Sequence, residues 1–120
     1  MSQDLIRLMH ALFLPSAASD EAPWAPAADV YRTRRGWLVK FELAGVRPDE
    51  IELETAGTAL TVRGVRRSST REEGCCYYRM EIAYSRFERT LELPCDVGRA
   101  NISTDYRDGM LLVHILPREV

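Results

Sequence analysis

The stretch Gly36-Trp37-Leu38-Val39-Lys40-Phe41-Glu42-Leu43 decides the fold. In an extended chain successive side chains point to opposite faces, so Trp37, Val39, Phe41 and Leu43 share one side while Lys40 and Glu42 take the other. That period of two describes a strand with one face buried. Ile51 and Leu53 alternate in the same way with Glu50, Glu52 and Glu54, whose carboxylates then line the wet side of a sheet. Leu60 and Val62 continue the period in a third strand running to about Arg67, and Phe87, Leu91 and Leu93 form one face of another that ends at Pro94. Gly45, Pro48, Gly57 and Gly64 supply turns, a bulge or a close backbone approach between them.

Toward the C-terminus, Ile102 to Tyr106 and Met110 to Leu116 flank Arg107-Asp108-Gly109. Asp-Gly is a hairpin turn signal because both positions accept positive φ. The last strand is apolar on both faces and is expected at the centre of its sheet. From Arg67 to Ser85 the chain is too long for a tight hairpin. Its polar part, Ser68 to Gly74, leads into Cys75-Cys76-Tyr77-Tyr78-Arg79-Met80, read as a short strand at the far side of a long loop. Short strands at regular intervals, with no helical period after residue 28, predict an all-β fold, an antiparallel β-sandwich.

Residues 1–28 differ. Leu5, Leu8, Met9 and Leu12 recur at helical spacing with Ile6 and Phe13 beside them, and Leu14 precedes Pro15, which stops the helix. Ser16 to Ala28 is alanine-rich, contains Pro23 and Pro26, and reads as a tether. The short helix is then either a free arm or an element docked on its own domain. The chain divides into a partly helical arm and tether (1–28), a folded domain (29–117) and a short end (118–120).

With 120 residues the chain holds one domain and a short appendage, too little for two lobes around a cleft. Sixteen basic and 18 acidic residues leave a net charge of -2 without a basic stripe, which argues against nucleic acid as a partner. Ala11 to Leu14 is far short of a membrane span, and the start lacks the basic region and cleavage site of a secretory signal. The three cysteines form no even disulfide framework and match no zinc-ligand spacing. A cytoplasmic chain without membrane partners is expected.

Catalytic chemistry finds little footing. His10 and His114 have no serine, cysteine or carboxylate placed by local spacing to make a nucleophile and base. No glycine-rich phosphate loop occurs, and the Glu50, Glu52, Glu54 row is linear where a calcium cage needs converging oxygens. Cys75 and Cys76 are adjacent, which closes no unstrained disulfide, although a disulfide between chains is open to them. No enzyme, cofactor or metal is expected. One mismatch stands out: Arg89 falls on the apolar side of its strand with Phe87, Leu91 and Leu93. A guanidinium there either finds a partner or an interface, or snorkels past the sheet edge.

The ordered set Asp29-Val30-Tyr31, Gly36-Trp37-Leu38-Val39, Glu42-Leu43-Ala44-Gly45-Val46, Leu60-Thr61-Val62-Arg63-Gly64, Phe87-Glu88-Arg89, Leu93-Pro94 and Asp108-Gly109-Met110-Leu111 resembles the α-crystallin domain of small heat-shock proteins. The resemblance covers roughly Asp29 to Pro117 and implies an immunoglobulin-like sandwich that dimerises. It also implies a chaperone that holds unfolding client proteins without ATP. In the bacterial and plant branch, a loop strand crosses to the partner's first strand, which places Tyr77, Tyr78 and Met80 against Val30 and Tyr31. Arg89 matches the arginine of the family's F-x-R motif, at or near that interface. Asp108, Gly109 and Leu111 match the late turn signature, with Thr104 where the family has alanine.

The resemblance further implies a groove lined by residues such as Ile51, Leu53 and Ile102, which receives an I-x-I tail from a neighbouring dimer. Here the sequence stops at Pro117-Arg118-Glu119-Val120 without that motif. Homodimers, small oligomers or co-assembly with a longer relative are therefore expected, with Leu12-Phe13-Leu14 substituting in the groove and the arm binding clients. The alternative is a non-catalytic adaptor, similar to co-chaperone sandwiches, that docks one defined partner. The long loop favours the chaperone.

Overall fold

The computed structural model describes residues 22–68, 70 and 72–118. Seven strands build it: β1 (Ala28–Arg32), β2 (Trp37–Glu42), β3 (Ile51–Ala56), β4 (Ala59–Arg66), β5 (Ser85–Glu92), β6 (Asn101–Arg107) and β7 (Met110–Leu116). One sheet has the order β1-β2-β7-β6 and the other β3-β4-β5, all pairs antiparallel. β7 lies between β2 and β6, the central position expected of it, but only one face is buried: Leu111, Val113 and Ile115 point into the core while His114 and Leu116 are exposed.

The period-two stretches aim their apolar faces between the sheets. Val39, Phe41 and Leu43 from the first, Leu60 and Val62 from β4, Phe87 from β5 and Val113 and Ile115 from β7 are almost wholly buried together. Glu52 and Glu54 face solvent while Ile51 and Leu53 are half-buried, matching the alternation along β3. On the same wet face Arg63 bridges Glu54 at 2.7 Å and Glu88 at 3.2 Å, and these hydrogen bonds raise its pKa above the ordinary guanidinium value.

Gly64 is needed for space and Gly109 for its backbone conformation. A Cβ on Gly64 would stand 2.3 Å from the Glu50 carbonyl oxygen and 2.7 Å from the Phe87 ring. At the β6–β7 turn Asp108 takes φ 53° and Gly109 φ 78°, the pair of left-handed residues that a two-residue hairpin demands. The Gly109 carbonyl also accepts from the Leu43 amide at 2.8 Å, and the Tyr106 hydroxyl donates to the Leu43 carbonyl at 2.8 Å, so the turn anchors the end of β2.

Two features depart from the sequence reading. Among the described residues no strand lies between Arg66 and Ser85, so the strand expected over Cys75–Met80 is not formed within one chain. Among the described residues the segment lies beside none of the sheet edges, and an extended segment without a neighbouring edge has no ladder. The end of the tether also packs on the sandwich: Trp24 bridges to Phe87 alongside β5, and Pro26 is buried. Trp24 accepts from the Glu88 amide and donates its own amide to the Arg86 carbonyl. It thereby covers part of the free edge of β5.

Candidate interaction surfaces

Three surfaces emerge. The first is the outer edge of β1, which among the described residues pairs with β2 alone. Four of its five residues are exposed, including Val30 and Tyr31, each at 43%. Such an edge presents unpaired backbone donors and acceptors to any extended segment.

The second is the long loop. Tyr77, Tyr78 and Met80 are exposed, and so is Ile82 at 62%. Tyr78, Met80 and Ile82 alternate with Tyr77, Arg79 and Glu81, a strand pattern in a segment that has no sheet. Ile82 escaped the sequence reading because that strand was ended at Met80, although extending the alternation by two residues finds it. Cys75 and Cys76 lie exposed at the start of this run.

The third is a groove between the edge strands β3 and β6, a cavity of about 340 Å³ lined by Pro48, Ile51, Leu53, Thr104, Tyr106 and Leu111. Ile51 and Leu53 form its β3 wall. Ile102 is half-buried against the core but does not line the cavity, whose β6 wall is Thr104 and Tyr106, farther along the same face. Leu111 joins the groove lining directly after the Asp108-Gly109 turn.

Arg89 has found a partner. Its Nη1 donates to the Pro26 carbonyl oxygen at 2.9 Å, so the mismatched guanidinium ties β5 to the tether within one chain. Sequence reading missed Arg66, which is 9% exposed. Its Nε donates to the Ala83 carbonyl at 2.9 Å and its Nη1 to the Ala44 carbonyl at 3.0 Å, while Trp24 stacks over it. Leu5, Ile6, Leu8, Met9, Leu12, Phe13 and Leu14 lie outside the described residues.

His114 is exposed on the outer face of β7. Among the described residues no three His, Cys, Asp or Glu side chains gather as a metal site would require, and no helix is long and apolar enough to cross a membrane.

Two antiparallel sheets, an anchored Asp-Gly hairpin and a groove between β3 and β6 together define a β-sandwich. The model of the Hsp20/alpha crystallin family matches residues 29–120. The chain belongs to that family. It is similar to small heat shock protein C4 of Rickettsia felis, 28% identical over 95 residues that cover 79% of this chain and 58% of the relative. Spore protein SP21 of Stigmatella aurantiaca is 30% identical over 106 residues, covering 87% and 63%. The chain thus spans about six-tenths of the length of these relatives. Among solved structures, hspA from Xanthomonas axonopodis matches with a TM-score of 0.67 at 29% identity, over 81% of this chain and 97% of that one.

Proposed function

We propose that this chain is an ATP-independent holdase that dimerises by exchanging its 67–85 loop and captures partly unfolded proteins on apolar surfaces. One observation carries the reading. Six of the seven exposed large hydrophobics among the described residues, Val30, Tyr31, Tyr77, Tyr78, Met80 and Ile82, belong to β1 or the long loop. A charged body that concentrates apolar side chains on one free strand edge and one strand-patterned loop suits reciprocal pairing with a second copy. Pairing would supply the loop with its missing ladder and β1 with its missing neighbour. Arg89, tied to Pro26 beside β1, would stand close to that interface.

Clients would then meet what the dimer leaves open, the β3–β6 groove and the apolar residues of 1–14. Burial of apolar surface is non-directional, so such capture would be broad and would need no nucleotide. Leu12-Phe13-Leu14, with its apolar-x-apolar spacing, would compete with clients for the groove.

The test is light scattering from a heat-labile client warmed with the protein and no nucleotide. Scattering is expected to fall as the protein approaches equimolar ratio. Client aggregation unaffected at a severalfold excess would remove the holdase reading and leave the single-partner adaptor.

A further inference from the structure

The surfaces proposed for the dimer carry charges that enter no ion pair among the described residues. Arg34 and Arg35, at the tip of the β1–β2 hairpin, are exposed and enter no ion pair among the described residues. The same holds for Glu72, Glu73 and Arg79 in the long loop. The Cys75 amide donates to the Glu72 carbonyl at 3.1 Å and Gly74 takes φ 78°, so residues 72–75 make a turn that opens the run from Tyr77 to Ile82.

Side-chain parity limits how that run meets β1. Val30 and Ala28 lie opposite Val39 and Phe41 of the core, on the inward side of their sheet. If the apolar residues Tyr78 and Met80 take that side too, even-numbered loop residues oppose even-numbered residues of β1. One antiparallel register then sets Tyr78 against Val30, Tyr77 against Tyr31 and Arg79 against Asp29, and it carries the Glu72–Glu73 turn to the Arg34–Arg35 tip. Sliding by two residues one way puts Glu81 against Asp29, two like charges. Sliding the other way moves Arg79 past the start of β1. Parallel alignments send the acidic turn away from the arginines.

We infer that the loop docks antiparallel on β1 of a second copy, with Arg79 facing Asp29 of the partner subunit and Glu72–Glu73 facing its arginine tip. The inference rests on the exchange dimer proposed for the same loop and adds its direction, register and electrostatic key. Asp29 is already 3.9 Å from Lys40 on β2 and 64% exposed, so Arg79 completes a cation–carboxylate–cation row across three strands.

Charge reversal tests it. Asp29→Lys and Arg79→Glu each place like charges face to face twice in a symmetric dimer, and each is expected to weaken dimerisation roughly tenfold or more. Mixing the two variants restores attraction at both sites, Lys with Glu and Arg with Asp, so native mass spectrometry is expected to show heterodimers dominating over either homodimer. Undiminished dimers from the single variants, or weakened variants that mixing fails to rescue, overturn the register. A chain lacking residues 75–82 that still dimerises at full strength overturns the exchange dimer itself.

Discussion

The Arg66 guanidinium lies 4.3 Å from the centroid of the Trp24 ring and joins three segments that are distant in sequence. The indole belongs to the end of the tether, Ala44 to the β2–β3 connection and Ala83 to the last residues of the long loop. Trp24 also donates its Nε1 hydrogen to the Ser85 carbonyl at 3.2 Å, and its ring meets Phe87 at a centroid distance of 5.3 Å. The arm's exit and the loop's return are thus held by one buried cation. Replacing it by Met keeps much of the volume but leaves two carbonyls without their donor. Arg66→Met is expected to cost about 2–3 kcal/mol, read from urea unfolding, and to open residues 80–85 to proteases. A midpoint equal to that of the parent would mean that the clasp contributes nothing.

Glycine substitutions separate steric need from conformational need. At Gly64 an added methyl meets the Glu50 backbone and the buried Phe87 ring, neither of which has room to yield. Gly64→Ala is expected to cost about 3 kcal/mol or more. Gly57 sits at φ 59° with nothing within 4 Å, so Gly57→Ala carries only left-handed strain, about 1 kcal/mol. Thermal unfolding of the two variants ranks them, and equal losses would contradict the close crossing.

The groove offers a separate handle on assembly. Deleting residues 1–15 is expected to reduce assembly size if Leu12-Phe13-Leu14 occupies the cavity. Thr104→Glu, at an exposed lining position, is expected to reproduce that reduction by placing a carboxylate against an apolar segment. Unchanged mass by light scattering in both variants would leave the groove to clients alone.

The cysteines are expected to differ in reactivity. Cys75 and Cys76 are exposed, whereas Cys95 is partly buried, and desolvation together with neighbouring Asp96 pushes its thiol pKa up. A raised pKa keeps the thiol protonated to higher pH, so thiolate-dependent labelling of Cys95 sets in later than for an ordinary cysteine. In a Cys75→Ser, Cys76→Ser variant, the labelling rate against pH isolates that shift. A profile matching a free thiol peptide would contradict the burial of Cys95.

Much of the sandwich was legible because one-sided burial writes a period of two into the chain, as at Val39, Phe41, Ile51 and Leu53. The Asp108-Gly109 turn was legible because few residue pairs accept two left-handed conformations. Arg66 was not, since its acceptors are backbone carbonyls of Ala44 and Ala83, groups that every sequence contains everywhere. Ile102 and Tyr106 share one face of β6, so alternation alone did not decide which of them lines the groove. Arg89 announced a need for a partner without naming it, because Pro26 answers with a carbonyl and not a charge.

Truncation within the first 28 residues separates capture from folding, and the packed tether says where to cut. Removing residues 1–21 leaves Trp24 over Arg66, Pro26 under Arg89 and the partial cover on β5. That form is expected to dimerise like the parent while protecting clients poorly. Removing residues 1–28 takes away the indole and the Pro26 carbonyl, so Arg66 loses its stacking partner, Arg89 its acceptor, and the β5 edge is bared. The longer deletion is therefore expected to be less stable by about 2–4 kcal/mol and prone to self-association. Unfolding curves, solution mass and the client assay on both forms distinguish the cases. Equal stability would mean that Trp24 and Pro26 merely rest on the sandwich. Full client protection by the 22–120 chain would transfer capture from the arm to the groove.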